Sequence, residues 1–151
     1  MLYESVLFFM KIIFDYNRTL FNPETGNLYP NAFNVLSVLN KDHELFLVSR
    51  NDPRRESMLV DLGISDFFTK KVFVDTKTTT LFKDLVGLDE KVLVIGDRIK
   101  GEVCIGNQCG YVTIWLKQGK FMNDFPETDE EQPDHIIEEI NQLLEIVNKY
   151  E

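Results

Sequence analysis

The 151-residue sequence has few residues of the kinds that build disulfide frameworks or zinc sites, and it has no excess of basic residues. The two cysteines, Cys104 and Cys109, lie five positions apart, and only His43 and His135 could serve as further soft ligands. This spacing fits neither a redox pair nor a zinc site, so we expect reduced thiols in a cytoplasmic protein. The net charge of −9 disfavours general nucleic-acid binding, because phosphate backbones attract basic surfaces.

Long hydrophobic runs are also missing. The apolar run at 6–10 is short, follows Glu4 and has no basic segment before it, so it predicts neither a signal peptide nor a membrane span. We interpret residues 1–9 as an N-terminal extension that lengthens the first strand. With 44% hydrophobic and 27% charged residues, the composition is that of an ordinary globular protein, and the length predicts one domain over residues 1–151.

Short apolar runs alternate along the chain with segments of helical spacing. The runs at 11–14, 44–49, 72–74, 91–95 and 111–116 predict buried strands, and 134–137 predicts a short further strand. We expect loops at 21–29 and in the acidic stretch 123–133, and an amphipathic terminal helix from Ile140. Unbroken apolar strands that alternate with helices are typical of parallel sheets covered on both faces. The sequence therefore predicts a doubly wound α/β domain.

Polar side chains follow four of these strands at the point where each strand ends. They are Asp15, Asn17 and Thr19 after the first strand, Ser49, Arg50 and Asn51 after the second, Lys77 after the third, and Asp97 and Glu102 after the fourth. Because open α/β sheets bind ligands at the carboxyl ends of their strands, we expect these side chains to converge there. A carboxylate in that position can act as a nucleophile or hold a hard cation.

Several of these residues also have a purely structural interpretation. Asp15 could cap a turn, and Glu102 could stabilise the start of a helix through the helix dipole. Lys77 has rivals in Lys70 and Lys71, each of which could be a solvated surface lysine. We prefer Lys77 because it lies immediately before a helical pattern.

From about Lys11 onward, the order of these strand ends resembles the haloacid dehalogenase (HAD) superfamily of phosphohydrolases. In that family the first strand ends in Asp-x-Asp-x-Thr, the second in Ser or Thr, and the fourth in Gly-Asp with another acid nearby. A lysine lies in the sequence between the second and fourth of these strand ends. The matching residues here are Asp15-Tyr16-Asn17-Arg18-Thr19, Ser49, Lys77, Gly96-Asp97 and Glu102.

The resemblance implies a Mg²⁺-dependent phosphohydrolase in which Asp15 forms an aspartyl-phosphate. Asp15, Asp97 and the backbone carbonyl of Asn17 would hold the ion, with Glu102 orienting a metal-bound water. Ser49 and Lys77 would contact the phosphoryl group, with Arg50 and Asn51 as further substrate-binding candidates. Thr19 would support the loop.

Asn17 departs from the family pattern, in which a second Asp protonates the leaving group and helps deprotonate the attacking water. An amide can do neither. Three outcomes remain open: a slow phosphatase, a phosphatase for good leaving groups such as acyl phosphates, or a phosphate-binding relative without turnover. Dehalogenases of the family also lack this acid, but they carry a cap domain, for which neither the 21–29 loop nor the segment after the third strand leaves room.

A site without a cap would be open to small phosphorylated molecules and to phosphoproteins, with a second copy of the chain as a conceivable lid. The main alternative function is a binding or regulatory module that keeps the fold but not turnover. A phospho-accepting receiver domain is disfavoured, because receivers place an acidic pair after the first strand and the acceptor after the third. This chain has one acid at the first position and only Asp75 at the third.

Overall fold

The computed structural model describes residues 10–88 and 91–151. In this part of the chain, the strands are β1 (Lys11–Phe14), β2 (Phe21–Asn22), β3 (Asn27–Leu28), β4 (Glu44–Arg50), β5 (Phe68–Val74), β6 (Val92–Gly96), β7 (Val112–Leu116) and β8 (His135–Ile137). The α-helices are α1 (Ala32–Leu39), α2 (Arg55–Asp61), α3 (Thr79–Val86), α4 (Cys104–Gln108) and α5 (Leu143–Tyr150). Short 3₁₀ turns and one π-helical turn at Ile99–Val103 join them.

The central element is a six-stranded sheet in the order β5-β4-β1-β6-β7-β8, and all its neighbouring strands run parallel. Side chains of β1 alternate between its two faces. Ile12 and Phe14 join one buried hydrophobic cluster, whereas Ile13 joins another. Both clusters are buried because a parallel sheet is covered on both sides.

Helices supply the apolar partners on both faces. Leu36 of α1, Leu59 of α2 and Val147 of α5 lie in the cluster that contains Phe14. Phe82 of α3 lies in the opposite cluster. This arrangement confirms the predicted doubly wound α/β fold.

The structure differs from the sequence-based expectations at several boundaries. The 21–29 loop contains the hairpin β2–β3, in which Gly26 has φ +74° and the Asn22 side chain accepts a hydrogen bond from the Glu24 N–H at 3.0 Å. Strand β5 begins at Phe68 rather than at residue 72, because its early residues are exposed and polar and hide the apolar pattern. The extension predicted at 1–9 lies outside the described residues.

The connections leave the carboxyl edge of the sheet open. Between β1 and α1 lies only the small hairpin, and four residues, 75–78, separate β5 from α3. The described residues therefore contain no cap domain. Among them, no helix combines the length and apolarity needed to cross a membrane.

Candidate active site

Two carboxylates meet where adjacent strands β1 and β6 end. The strands pair in register, with Phe14 opposite Ile95, and the backbone N–H of Asp15 donates to the Ile95 carbonyl at 3.2 Å. Asp15 and Asp97 therefore leave the sheet side by side. Carboxylate oxygens of Asp15, Asp97 and Glu102 lie within 4.8 Å of one another, and all three residues are buried.

Lys77 joins two of these carboxylates. Its Nζ donates to Asp15 Oδ1 at 2.6 Å and to Glu102 Oε1 at 2.7 Å. Burial alone would lower the pKa of Lys77, but the two carboxylates outweigh it and raise the pKa above its ordinary value, so the ammonium stays charged. The rival lysines lie elsewhere, since Lys71 contacts Ser65 and Glu56 and Lys70 is exposed on β5.

One ammonium does not neutralise three buried carboxylates. Burial, followed by the charges of Asp15 and Glu102, raises the pKa of Asp97 to about 8. Burial and Asp15 also raise the pKa of Glu102, and its Oε2 is buried without a hydrogen-bond partner. Clustered carboxylate oxygens, one of them unpartnered, are a donor set that suits a hard divalent cation.

Glu102 reaches this cluster because it packs directly over a glycine. A Cβ atom added at Gly96 would lie 2.7 Å from Glu102 Oε2 and 2.8 Å from its Cβ. The glycine before Asp97 is therefore a steric requirement of the site.

We expect Gly96→Ala to destabilise the fold by roughly 1–3 kcal/mol, because the new Cβ atom would lie 2.8 Å from Glu102 Cβ, an atom that cannot move without the backbone. Urea unfolding measures the change. Gly101→Ala is the matched control, because a Cβ there meets only the Arg98 side chain, at 3.5 Å. Equal losses in the two variants would contradict the proposed close packing.

The loop after β1 is a tight turn with an arginine in a strained conformation. Tyr16 O accepts backbone N–H bonds from Leu20 at 2.9 Å and Phe21 at 3.0 Å. Arg18 has φ +61°, which is uncommon outside glycine. Its Nε donates to Asp97 Oδ2 at 3.1 Å, so this loop is tied to the end of β6. Thr19 Oγ1 lies 3.5 Å from Asp15 Oδ2 and packs within the same turn.

Tyr16 anchors this loop from beneath. Its ring is fully buried, stacks on Phe21 with centroids 5.1 Å apart, and carries the Arg55 guanidinium 4.2 Å above its face. Because Tyr16 separates Asp15 from Asn17, this packing determines where both side chains emerge.

The remaining predicted residues differ in position. Asn17 and Arg50 line the same cavity as Asp15. Ser49 is buried at the end of β4, and its hydroxyl lies 3.4 Å from the Arg50 carbonyl. Ser49 and Asn51 do not line the cavity, and Asn51 is exposed, with its N–H bonded to the Val74 carbonyl.

Sequence reasoning missed a group of residues that also line this cavity of about 640 Å³. Lys120 and Phe121 come from the 3₁₀ turn after β7, and Arg18 comes from the loop after β1. Gln118 joins these segments by donating from Nε2 to the Arg18 carbonyl at 2.9 Å. The only sequence feature that pointed to this group was the presence of basic residues close to strand ends.

Comparison with known proteins agrees with this geometry. Residues 72–143 match the HAD-hydrolase-like family, a range that includes Lys77, Asp97 and Glu102. A haloacid dehalogenase-like family protein from Streptococcus pneumoniae superposes with a TM-score of 0.70 at 15% identity, covering 91% of this chain and 98% of that one. The sheet, the strand-end cluster and the match over residues 72–143 together make this chain similar to the HAD-like hydrolases.

Two further similarities are more specific. Glyceraldehyde 3-phosphate phosphatase from Methanopyrus kandleri is 27% identical over 100 residues, which are 60% of this chain and 43% of the relative. The match thus spans less than half of that phosphatase. The HAD-hydrolase candidate YfnB from Bacillus subtilis, whose structure is bound to magnesium, has a TM-score of 0.67 at 22% identity, with 80% of this chain and 56% of that chain covered.

Proposed function

We propose that this protein is a Mg²⁺-dependent phosphohydrolase with Asp15 as its nucleophile. The observation that carries the proposal is the buried cluster at one sheet edge, in which carboxylate oxygens of Asp15, Asp97 and Glu102 lie within 4.8 Å and Lys77 contacts two of them. A nucleophile beside a fixed positive charge is suited to attack on an anionic phosphoryl group.

In the first step, a carboxylate oxygen of Asp15 forms a bond to phosphorus and the bond from phosphorus to the leaving oxygen breaks. In the second, a water oxygen attacks the aspartyl-phosphate and loses a proton to solvent, and the bond between phosphorus and Asp15 breaks to release inorganic phosphate. Lys77 holds its positive charge against the reacting carboxylate throughout. Because Asn17 cannot transfer a proton, the leaving group takes its proton from solvent, and good leaving groups are favoured.

Oxygen ligands in the cluster fit Mg²⁺, which prefers carboxylates and retained waters. Asp15, Asp97 and the Asn17 carbonyl would hold the ion, with Glu102 positioned to orient a bound water. When bound, the ion neutralises charge on the phosphoryl oxygens. The magnesium in the YfnB structure supports this choice of metal.

For the substrate, the open cavity of about 640 Å³ favours a phosphorylated small molecule, with a phosphoprotein as the alternative. The phosphatase from Methanopyrus kandleri supports the small-molecule choice, since its name specifies a sugar phosphate. The second candidate function is a phosphate-binding or regulatory module, which Asn17 favours because it removes the general acid.

The first test is phosphate release from 4-nitrophenyl phosphate with Mg²⁺ and after chelation by EDTA. We expect slow release that stops without the ion and returns when Mg²⁺ is restored. If no Mg²⁺-dependent release occurs across a broad panel of phosphate esters, the phosphohydrolase proposal is wrong and the binding module is favoured.

Mg²⁺ at about 100 times its dissociation constant should also raise the Tm by roughly 5–10 °C, because ligand binding stabilises only the folded state. We expect Asp97→Asn to lose most of this shift in a thermal melt. Asp61→Asn, at an exposed position near the end of α2, is the matched control and should keep it. If Mg²⁺ raises the Tm of Asp97→Asn as much as that of the wild type, Asp97 is not a ligand of the ion.

A further inference from the structure

The cavity beside the carboxylates is rich in cationic side chains, although the chain as a whole is acidic. Six of its 16 lysine and arginine residues line this one cavity, against four acidic residues, while the net charge is −9. Some of these cations are already neutralised. Lys77 contacts Asp15 and Glu102, and Lys100 pairs with Glu127 at 3.1 Å.

Three of the other four cations gather around one aromatic ring, and Arg50 is the exception. Arg18, Arg98 and Lys120 lie 5.2, 4.9 and 5.4 Å from the centroid of Phe121, and we call these four residues the Phe121 cluster. Arg18 also contacts Asp97, but over residues 10–88 and 91–151 neither Arg98 nor Lys120 forms an ion pair. Three like charges that share one ring repel each other, and an anion between them would relieve that repulsion.

Neighbouring contacts hold the Phe121 cluster in place. Trp115 Nε1 donates to the Asp97 carbonyl at 2.9 Å, which fixes the backbone just before Arg98. Gln118 donates a hydrogen bond to the Arg18 carbonyl. Gly119 has φ +74°, and a Cβ atom added there would lie 3.4 Å from the Arg18 side chain, so the glycine allows the two segments to pack closely. The arrangement is therefore built from three segments of the chain.

We propose that the Phe121 cluster is a subsite for a second anionic group, so that the substrates are small phosphate monoesters that also carry a carboxylate or an equivalent anion. This substrate class rests on the proposed phosphohydrolase function. Arg18 contacts both Asp97 and Phe121, so the subsite adjoins the carboxylate cluster. A substrate with the transferred phosphate alone would leave Arg98 and Lys120 without a counter-charge.

The test compares 3-phosphoglycerate with glycerol 3-phosphate, which share a primary-alcohol leaving group but differ in the carboxylate. Binding is measured by calorimetry with Mg²⁺ in an Asp15→Asn background, where no turnover disturbs the titration. We expect 3-phosphoglycerate to bind about tenfold or more tightly, and Arg98→Gln and Lys120→Gln each to reduce that preference severalfold. Arg54→Gln is the control, since Arg54 is an exposed cation that pairs with Asp52 outside the cavity.

Equal affinity for the two ligands, no binding of either, or a preference that survives both substitutions would overturn the subsite. Phosphate release by the wild-type chain is measured separately. A carboxylate preference that depends on Arg98 and Lys120, together with no release from 4-nitrophenyl phosphate or the broad panel of esters, would sustain the subsite and refute the phosphohydrolase. Release from both esters, without any difference in affinity between them, would refute the subsite and sustain the phosphohydrolase.

Discussion

Replacing Asp15 with asparagine is expected to lower phosphate release from 4-nitrophenyl phosphate about 10⁴-fold or more, the scale on which a lost nucleophile reduces kcat. An amide cannot form the aspartyl-phosphate, so the first step of the proposed reaction is lost. The measurement is the release of 4-nitrophenolate with saturating Mg²⁺. Thermal melts of both proteins establish that the variant is folded.

Asp75→Asn provides a matched control for this substitution. Asp75 follows β5 and lines the same cavity, but its carboxylate is outside the cluster formed by Asp15, Asp97 and Glu102. We expect its rate to stay within about tenfold of wild type. If Asp75→Asn removes activity and Asp15→Asn does not, the phosphoryl acceptor follows the third strand of the sheet, as in a receiver domain, and our assignment of Asp15 is wrong.

The meeting of Asp15 and Asp97 could be predicted from the sequence because both follow continuous apolar runs. Such runs are buried strands, and parallel strands place their carboxyl ends at one edge. The order of the strands supports the same conclusion, since β1 and β6 are direct neighbours. The hydrophobic pattern of the strands and the topology of the sheet agree here, so the meeting of the two carboxylates could be predicted with little knowledge of tertiary contacts.

The choice among the lysines required the folded chain. Lys70, Lys71 and Lys77 lie close together in the sequence, and each could be solvated. Their different environments arise because β5 is an edge strand that exposes Lys70, whereas Lys77 follows the strand's carboxyl end. Sequence position favoured Lys77, but its two carboxylate contacts are visible only in three dimensions.

The Phe121 cluster could not be predicted, because it depends on contacts between distant loops. Arg18 and Asp97 are 79 positions apart, and Gln118 meets Arg18 across 100 positions. No periodicity marks such pairs. Glu102 was ambiguous for a similar reason: the residue follows a strand end, but its side chain reaches the cluster only because Gly96 lacks a Cβ atom.

Restoring the acid at position 17 should have the second large effect. Asn17 lines the cavity directly beside the strand end that carries Asp15. We expect Asn17→Asp to raise kcat for glycerol 3-phosphate about 10²–10⁴-fold, because a carboxyl group there can protonate the leaving oxygen and then deprotonate the attacking water. The gain for 4-nitrophenyl phosphate should be smaller, since 4-nitrophenolate departs without a proton and only the second step benefits.

This dependence on the leaving group separates acid catalysis from a general change in charge. Asn51→Asp adds the same negative charge at the end of β4, where the residue is exposed and outside the cavity, so it should leave both rates nearly unchanged. An equal rise for both esters in Asn17→Asp would indicate stronger metal binding rather than proton transfer. If the rate rises for neither ester, the missing acid does not limit turnover. A site that lacked only its proton donor would become faster when one was supplied, so this outcome would favour the binding module.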